Sequence, residues 1–405
     1  MLGGFPLGAN LFPNTLSARS VIFLRKSDRH KLGFSGNARR DAHAGRRWDE
    51  TPFVMAATKK VALGVVGYGA ITELYYVPSA RELERAGYAT VTAIFDPSAE
   101  RVAKVGAQLM GAKQFNDFSA FVESAPQLAI VASPARFHAE QTIKLLESGV
   151  SVLCEKPMAS NTAEAEQMLA AATRAKRKLA VGLFRRFFPA CNLIREYIAA
   201  ETLGKVIDFE FSEGWMFNWP AQSASFFQKK TAQGGVFLDL GAHLLDLMLW
   251  WFGYPTSFDY SDDAMGGLEI NSVARFEFAS GLHGRVQLSR DWELPNKYVI
   301  RCEKGWLAWK VGEANRVEIG AKGNSHTILG ETLEGRSSAA NYAESFVAQL
   351  ANCIKAITGG EKLVVPGEEG LRSLRLIEKC YQSRKLLPMP WLTEVEMARA
   401  RELAV

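Results

Sequence analysis

Lys156, Asp239 and His243 can do acid–base chemistry, and each stands where an apolar chain gives no other reason for it. Ser151-Val152-Leu153-Cys154 reads as a buried strand, and Glu155-Lys156-Pro157 follows at once. Ligands of open parallel sheets bind outside the carboxyl ends of the strands. A lysine there can orient or deprotonate a substrate hydroxyl; the plainer alternatives are a surface lysine or an ion pair with Glu155. Asp239 and His243 are spaced i, i+4, hence on one helix face, and Asp246 adds i+7. The rest of that helix is leucine, methionine and tryptophan, which predicts burial. Buried Asp and His need partners or a task. Acid–base catalysis fits, with His243 as proton acceptor and Asp239 orienting it. A satisfied core pair is the alternative. Two carboxylates and one histidine make a poor closed zinc set, so no metal is expected.

The groups around these three suggest what they act with. Gly67-Tyr68-Gly69-Ala70-Ile71-Thr72 lies between an apolar strand and a helix. Such a turn lets backbone amides approach a pyrophosphate at a positive helix end, which makes Gly67, Gly69, Ala70 and Ile71 dinucleotide contacts. Asp96 ends the second strand, where a carboxylate accepts ribose hydroxyls and repels a 2′-phosphate; NAD is expected over NADP. Arg185 and Arg186 alternate faces, so one can meet substrate, and Arg185 is assigned that part. Trp219 is assigned to the substrate wall, as aromatics suit the apolar faces of sugars.

Positioning these residues takes a regular scaffold. Strand patterns at 60–66, 90–95, 113–115, 127–132, 151–154 and 178–184 alternate with helices, which implies a doubly wound parallel sheet. From residue 206 onward, strands at 206–215, 256–261, 271–279, 282–290, 297–303, 306–311 and 315–320 are separated mainly by turns. They imply an α+β domain with a large, mostly antiparallel open sheet. The helices are expected at 189–201, 235–252, 340–358 and 367–384. The expected division is 1–58, a disordered extension; 59–185, the dinucleotide-binding domain; 186–390, the substrate and oligomerisation domain; and 391–405, a tail. The two tail helices are free to pack back on the first domain.

Taken in order, Gly67-x-Gly69, Asp96, Ser133-Pro134…His138, Glu155-Lys156-Pro157, Gly182-x-x-Arg185-Arg186-Phe187 and Gly234-Gly235-x-x-x-Asp239-x-x-x-His243 resemble the glucose–fructose oxidoreductase/inositol dehydrogenase/MocA family. The likeness runs over about residues 59–390. It implies an N-terminal Rossmann domain, and a C-terminal domain whose open sheet covers the active site and often forms oligomer contacts; an open sheet face needs covering, which favours a homo-oligomer, a dimer or tetramer. It also implies cofactor contacts from Ser133, Pro134, His138, Glu155 and Lys156, and a catalytic set of Lys156, Asp239 and His243. The chain departs from the family at three places: Ala135 replaces a frequent asparagine, Thr72 replaces the third glycine, and Tyr76 stands where many members have histidine. The implied activity is NAD-dependent oxidation of a secondary alcohol of a sugar, cyclitol or related polyol. An NAD-dependent glycosidase and a non-catalytic dinucleotide- or sugar-binding sensor are the other readings.

Composition narrows the partners. The net charge of +5 arises in residues 1–58, where nine Lys/Arg face four Asp/Glu, leaving 39 of each in the remainder. A neutral body gives no reason to expect nucleic acid. No uninterrupted apolar run reaches the roughly 18 residues of a membrane span. Five cysteines without Cys-x-x-Cys spacing predict reduced buried thiols and a cytoplasmic setting.

Overall fold

The computed structural model describes residues 60–221, 224–323, 327–331, 339, 341–390 and 392–403. The expectation of disorder over 1–58 lies outside the described residues. Within them, two sheets share the chain.

The first sheet is built from β1 (Val61–Val66), β2 (Ala89–Phe95), β3 (Lys113–Phe115), β4 (Leu128–Val131), β5 (Ser151–Cys154) and β6 (Leu179–Val181). Its helices are α1 (Val77–Arg85), α2 (Ala99–Gly106), α3 (Phe118–Glu123), α4 (His138–Glu147) and α5 (Thr162–Ala175). All its strand pairs are parallel and the order is β3-β2-β1-β4-β5-β6. The order reverses between β1 and β4, so the crevice opens at their carboxyl ends. Every residue of β4 and β5 is buried, as strands covered on both faces must be.

Then come α6 (Pro189–Ala199), β7 (Val206–Gly214), the single turn α7 (Lys229–Ala232) and α8 (Val236–Phe252). The strands β8 (Ser257–Asp262), β9 (Asn271–Glu277), β10 (His283–Ser289), β11 (Lys297–Cys302), β12 (Gly305–Lys310), β13 (Arg316–Ala321) and β14 (Thr327–Glu331) follow. After α9 (Tyr342–Ile357) and α10 (Gly367–Gln382) the chain adds β15 (Lys385–Leu386) and α11 (Glu394–Leu403). The nine-stranded order is β14-β13-β12-β11-β7-β10-β9-β8-β15. It is antiparallel except where β7 meets β10 and β8 meets β15. The parallel β7–β10 pair was invisible in the sequence, because α8, β8 and β9 intervene.

Two further differences have local causes. Within the expected tail, Glu394–Leu403 forms α11. A capping box starts it: the Glu396 carboxylate accepts from Thr393 N–H at 2.9 Å, and Thr393 Oγ1 accepts from Glu396 N–H at 3.3 Å. The stretch Lys229–Phe252 is long and apolar enough to span a membrane, yet 78% of its most apolar window is buried inside the protein. It is a core helix. The five cysteines are buried and unpaired.

The tail helices return to the first sheet. Packing of α9 is against α1, and α10 lies on α5, β6 and α8, fixed by the Arg375–Glu166 and Arg186–Glu369 ion pairs. The start of α8 is held from outside the helix. Glu269 Oε1 accepts from the N–H groups of Gly235 (2.9 Å) and Phe237 (3.0 Å) and from Tyr381 OH (2.6 Å). Its carbonyl accepts from Val236 N–H at 3.0 Å. Glu269 therefore acts as an N-cap and sets its charge against the positive helix end. A Cβ on Gly235 would sit 1.9 Å from the Glu269 carbonyl oxygen, which is why the chain has glycine there. Glu269→Ala should lower stability by about 1–3 kcal/mol, the range for orphaned buried donors. Chemical denaturation with an unchanged m-value would verify it.

Candidate active site

The turn after β1 fits a dinucleotide. Gly67 has φ +88°, and a Cβ there would lie 2.7 Å from Ser133 N, so glycine is required where the β1 and β4 ends approach. A Cβ on Gly69 would meet nothing within 4 Å, and this open space lies at the helix start. Ala70 and Ile71 open that helix, which runs through a wide turn at Thr72–Tyr76 into α1. Thr72, in the third-glycine place, is fully buried and donates its hydroxyl to the Gly67 carbonyl at 2.9 Å. It braces the turn rather than blocking it. Asp96 accepts from Tyr68 N–H and Ser98 N–H, each at 2.9 Å and each on a different carboxylate oxygen. Each oxygen keeps a second lone pair, so the residues present fit a nicotinamide dinucleotide.

At the β4 end, Pro134 is exposed and Ser133 half-buried, with its hydroxyl donated to Gln141 Oε1 at 2.6 Å. His138 differs from its expected role. It is 1% exposed, with ring nitrogens 2.9 Å from the Pro157 carbonyl and 2.7 Å from the Ser133 carbonyl. It fastens the Glu155-Lys156-Pro157 loop to the β4 loop and presents no atom to a cofactor. Glu155 is likewise turned inward. Its Oε1 accepts from Tyr76 OH at 2.5 Å, and Gln349 donates to the same phenol oxygen at 3.1 Å. Burial raises the Glu155 pKa, opposed by the Tyr76 hydrogen bond and the Lys156 charge. The departure at Tyr76 thus supplies the partner of a buried carboxylate.

Lys156 and Asp239 meet. Lys156 Nζ donates to Asp239 Oδ1 at 2.6 Å and to the Asp239 carbonyl at 3.1 Å. The other carboxylate oxygen, Oδ2, is held by Arg290. Burial works to raise the Asp239 pKa, but the Lys156 and Arg290 cations prevail and hold it below the ordinary aspartate value. Arg290 was not anticipated. The one available sign was a charged residue ending an alternating strand, as Lys156 ends β5.

His243 shares the α8 face with Asp239 but is not hydrogen-bonded to it; the carboxylate oxygens are turned to Lys156 and Arg290. The expected Asp239–His243 orienting bond is therefore corrected. Packing positions the ring: Phe184 contacts it edge-on at 4.9 Å between centroids. Its Nδ1 is buried and has no partner. Burial, then the positive Lys156 and Arg185, hold the imidazole well below its usual pKa. It is neutral at pH 7 and able to accept a proton.

Asp246, one turn further, leaves the set. It takes Arg186 in a bidentate pair at 2.9 and 2.6 Å. Arg185 also differs from expectation. It is 5% exposed, and its guanidinium is committed to Glu213 at 2.8 and 2.6 Å and to Tyr298 OH at 3.1 Å. Both arginines of the pair are scaffold, because each finds a buried carboxylate from the second sheet or from α8. Trp219 is half-buried in the segment after β7. That segment borders the site, since Phe217 N–H donates to the Arg290 carbonyl at 2.8 Å. Among the described residues, no group of three or more His, Cys, Asp or Glu could hold a metal ion.

These charge states set a pH dependence. Depressed pKa values keep both Asp239 and His243 in their basic forms at neutral pH. The acid limb of kcat/KM should therefore fall below the ordinary histidine value of about 6.5. An acid midpoint at or above neutrality in the measured profile would contradict this arrangement.

Residues 61–183 match the profile of an oxidoreductase family with an NAD-binding Rossmann fold, and residues 192–308 match the GFO/IDH/MocA C-terminal domain. Rhizopine catabolism protein MocA of Rhizobium meliloti is 29% identical over 200 residues, which spans 48% of this chain and 59% of that protein. Myo-inositol 2-dehydrogenase of Thermotoga maritima is 25% identical over 329 residues, 78% of this chain and 93% of that protein. The fold is that of the aldose-aldose oxidoreductase of Caulobacter crescentus, with a TM-score of 0.70, 23% identity, and coverage of 80% of this chain and 97% of that one. With both of its domains matched in order, the chain belongs to the GFO/IDH/MocA family of oxidoreductases.

Proposed function

We propose that the protein is an NAD-dependent oxidoreductase acting on a secondary alcohol of a sugar, cyclitol or related polyol. The observation that carries this reading is the Lys156–Asp239 ion pair at the β5 end, with neutral His243 on the same α8 face. A bound nicotinamide supplies the hydride acceptor. Gly67, Gly69, Ala70 and Ile71 would hold its pyrophosphate at the helix start, and Asp96 its adenosine ribose. A carboxylate at that place repels a 2′-phosphate, which supports NAD over NADP.

The chain's own groups handle the proton. Lys156 donates to the substrate oxygen and stabilises negative charge on it as the O–H bond breaks. His243, uncharged beforehand, takes the proton. Asp239 stays ionised between Lys156 and Arg290, holding the ammonium in place. The matched myo-inositol 2-dehydrogenase supports a polyhydroxylated substrate by name.

The test is NADH formation, followed by absorbance, across sugars, inositols, amino sugars and sugar acids, with NAD⁺ and NADP⁺ in parallel. Turnover is expected with at least one polyol, and faster with NAD⁺. If the only turnover found were equally fast in Lys156→Ala and His243→Ala, the catalytic assignment would be wrong.

A further inference from the structure

An aromatic wall begins where the catalytic carboxylate ends. Arg290 joins the two: it pairs with Asp239, and its guanidinium lies over the Phe217 ring at 5.5 Å. Phe217 contacts Phe227 edge-on at 5.1 Å between centroids. Two residues past Arg290 stands Trp292, whose backbone N–H donates to Ser289 Oγ at 2.9 Å. Trp292 is 69% exposed and Phe227 59%, large values for rings of this size. Trp219 lies two residues from Phe217 and is half-buried. Large apolar groups left exposed beside a polar site mark a binding surface.

We propose that Phe217, Trp219, Phe227 and Trp292 form a subsite for an apolar, preferentially aromatic, substituent carried by the hydroxylated substrate, such as the aglycone of a glycoside. This rests on the function proposed above and narrows it. The hydroxyl that reacts must reach Lys156 and His243 on the polar floor. Arg290 is the boundary, since one part of its guanidinium serves Asp239 and its face covers Phe217. A ring bound at the floor therefore directs a substituent on its far side to the aromatic wall, where stacking and desolvation favour an aryl group over a methyl group.

The test compares 4-nitrophenyl and methyl glycosides of each sugar that turns over. Wild-type kcat/KM should favour the nitrophenyl compound by about 10-fold or more, the scale of a well-filled apolar pocket. Trp292→Ala should remove most of that preference, lowering nitrophenyl turnover by the larger factor. Met110→Ala, a remote change at an 88% exposed residue, should alter neither. No aryl preference in the wild type, or equal losses on both substrates in Trp292→Ala, overturns the proposal. Equal losses with dissociation of an assembly in light scattering would instead make the wall an interface between copies. If no sugar turns over at all, the function proposed above fails. The subsite is then read by quenching of tryptophan fluorescence with 4-nitrophenyl glucoside in NAD-loaded protein. Tighter binding to Phe227→Ala or Trp292→Ala than to wild type, or equal binding, refutes the subsite; weaker binding supports it.

Discussion

Lys156→Ala should lower kcat by about 10²–10⁴-fold, the usual contribution of a positioned acid–base group. NADH affinity should change little, because the dinucleotide turn and Asp96 do not depend on the lysine side chain. Stability should also hold, since Asp239 keeps Arg290 on its second oxygen. Loss of catalysis therefore separates from loss of structure. Steady-state kinetics, NADH fluorescence titration and a melting curve on the same variant give the three readouts. A fall in kcat below about 10-fold with intact binding would remove Lys156 from the chemistry. Lys156→Arg should rescue poorly, because a planar guanidinium cannot place one compact donor on the Asp239 carboxylate, its carbonyl and the substrate oxygen at once.

Glu213→Ala should cost about 3–5 kcal/mol, the penalty for leaving one member of a buried ion pair without its partner. The Glu213 side chain is fully buried and that of Arg185 is 7% exposed, so water cannot replace the lost contact. The same change also removes the acceptor of Tyr298 OH, which donates to Glu213 at 2.8 Å. The double variant Arg185→Met with Glu213→Leu should recover much of the loss, because apolar residues of similar volume often replace buried pairs at little cost. Urea denaturation of the two variants decides it. If Glu213→Ala left stability intact and instead raised KM, Arg185 would regain its place as a substrate contact.

Lys156 and Arg185 differ in how much their sequence neighbours disclose. Lys156 was legible because a charge rarely ends a fully apolar strand without a task, and because strand ends in a parallel sheet face one crevice. Asp239 and His243 were legible as a pair because helical spacing puts i and i+4 on one face. The first sheet was readable nearly strand by strand, since buried parallel strands are short apolar runs between amphipathic helices. Arg185 misled for a physical reason. Alternation says that neighbouring side chains diverge, but not that both will find buried carboxylates, one on β7 and one on α8.

The wiring of the site was decided across the fold. By spacing alone, Asp239 is the orienting partner of His243, four residues away. Instead its two oxygens go to Lys156, 83 residues earlier, and Arg290, 51 residues later. His138, Tyr76 and Glu269 became positioning residues for the same reason: each satisfies buried polar atoms brought near by packing, and no local pattern encodes such a partner.

From its residues alone, this chain determined its class, its dinucleotide turn and the three groups able to do chemistry, because those depend on local periodicity and on residue type at strand and helix ends. Which carboxylate serves which cation, and which arginine is scaffold, only the tertiary structure decided. Burial makes an unpaired charge costly, and the partner that relieves it is set by which elements packing brings together, here the ends of β5 and β10 at α8.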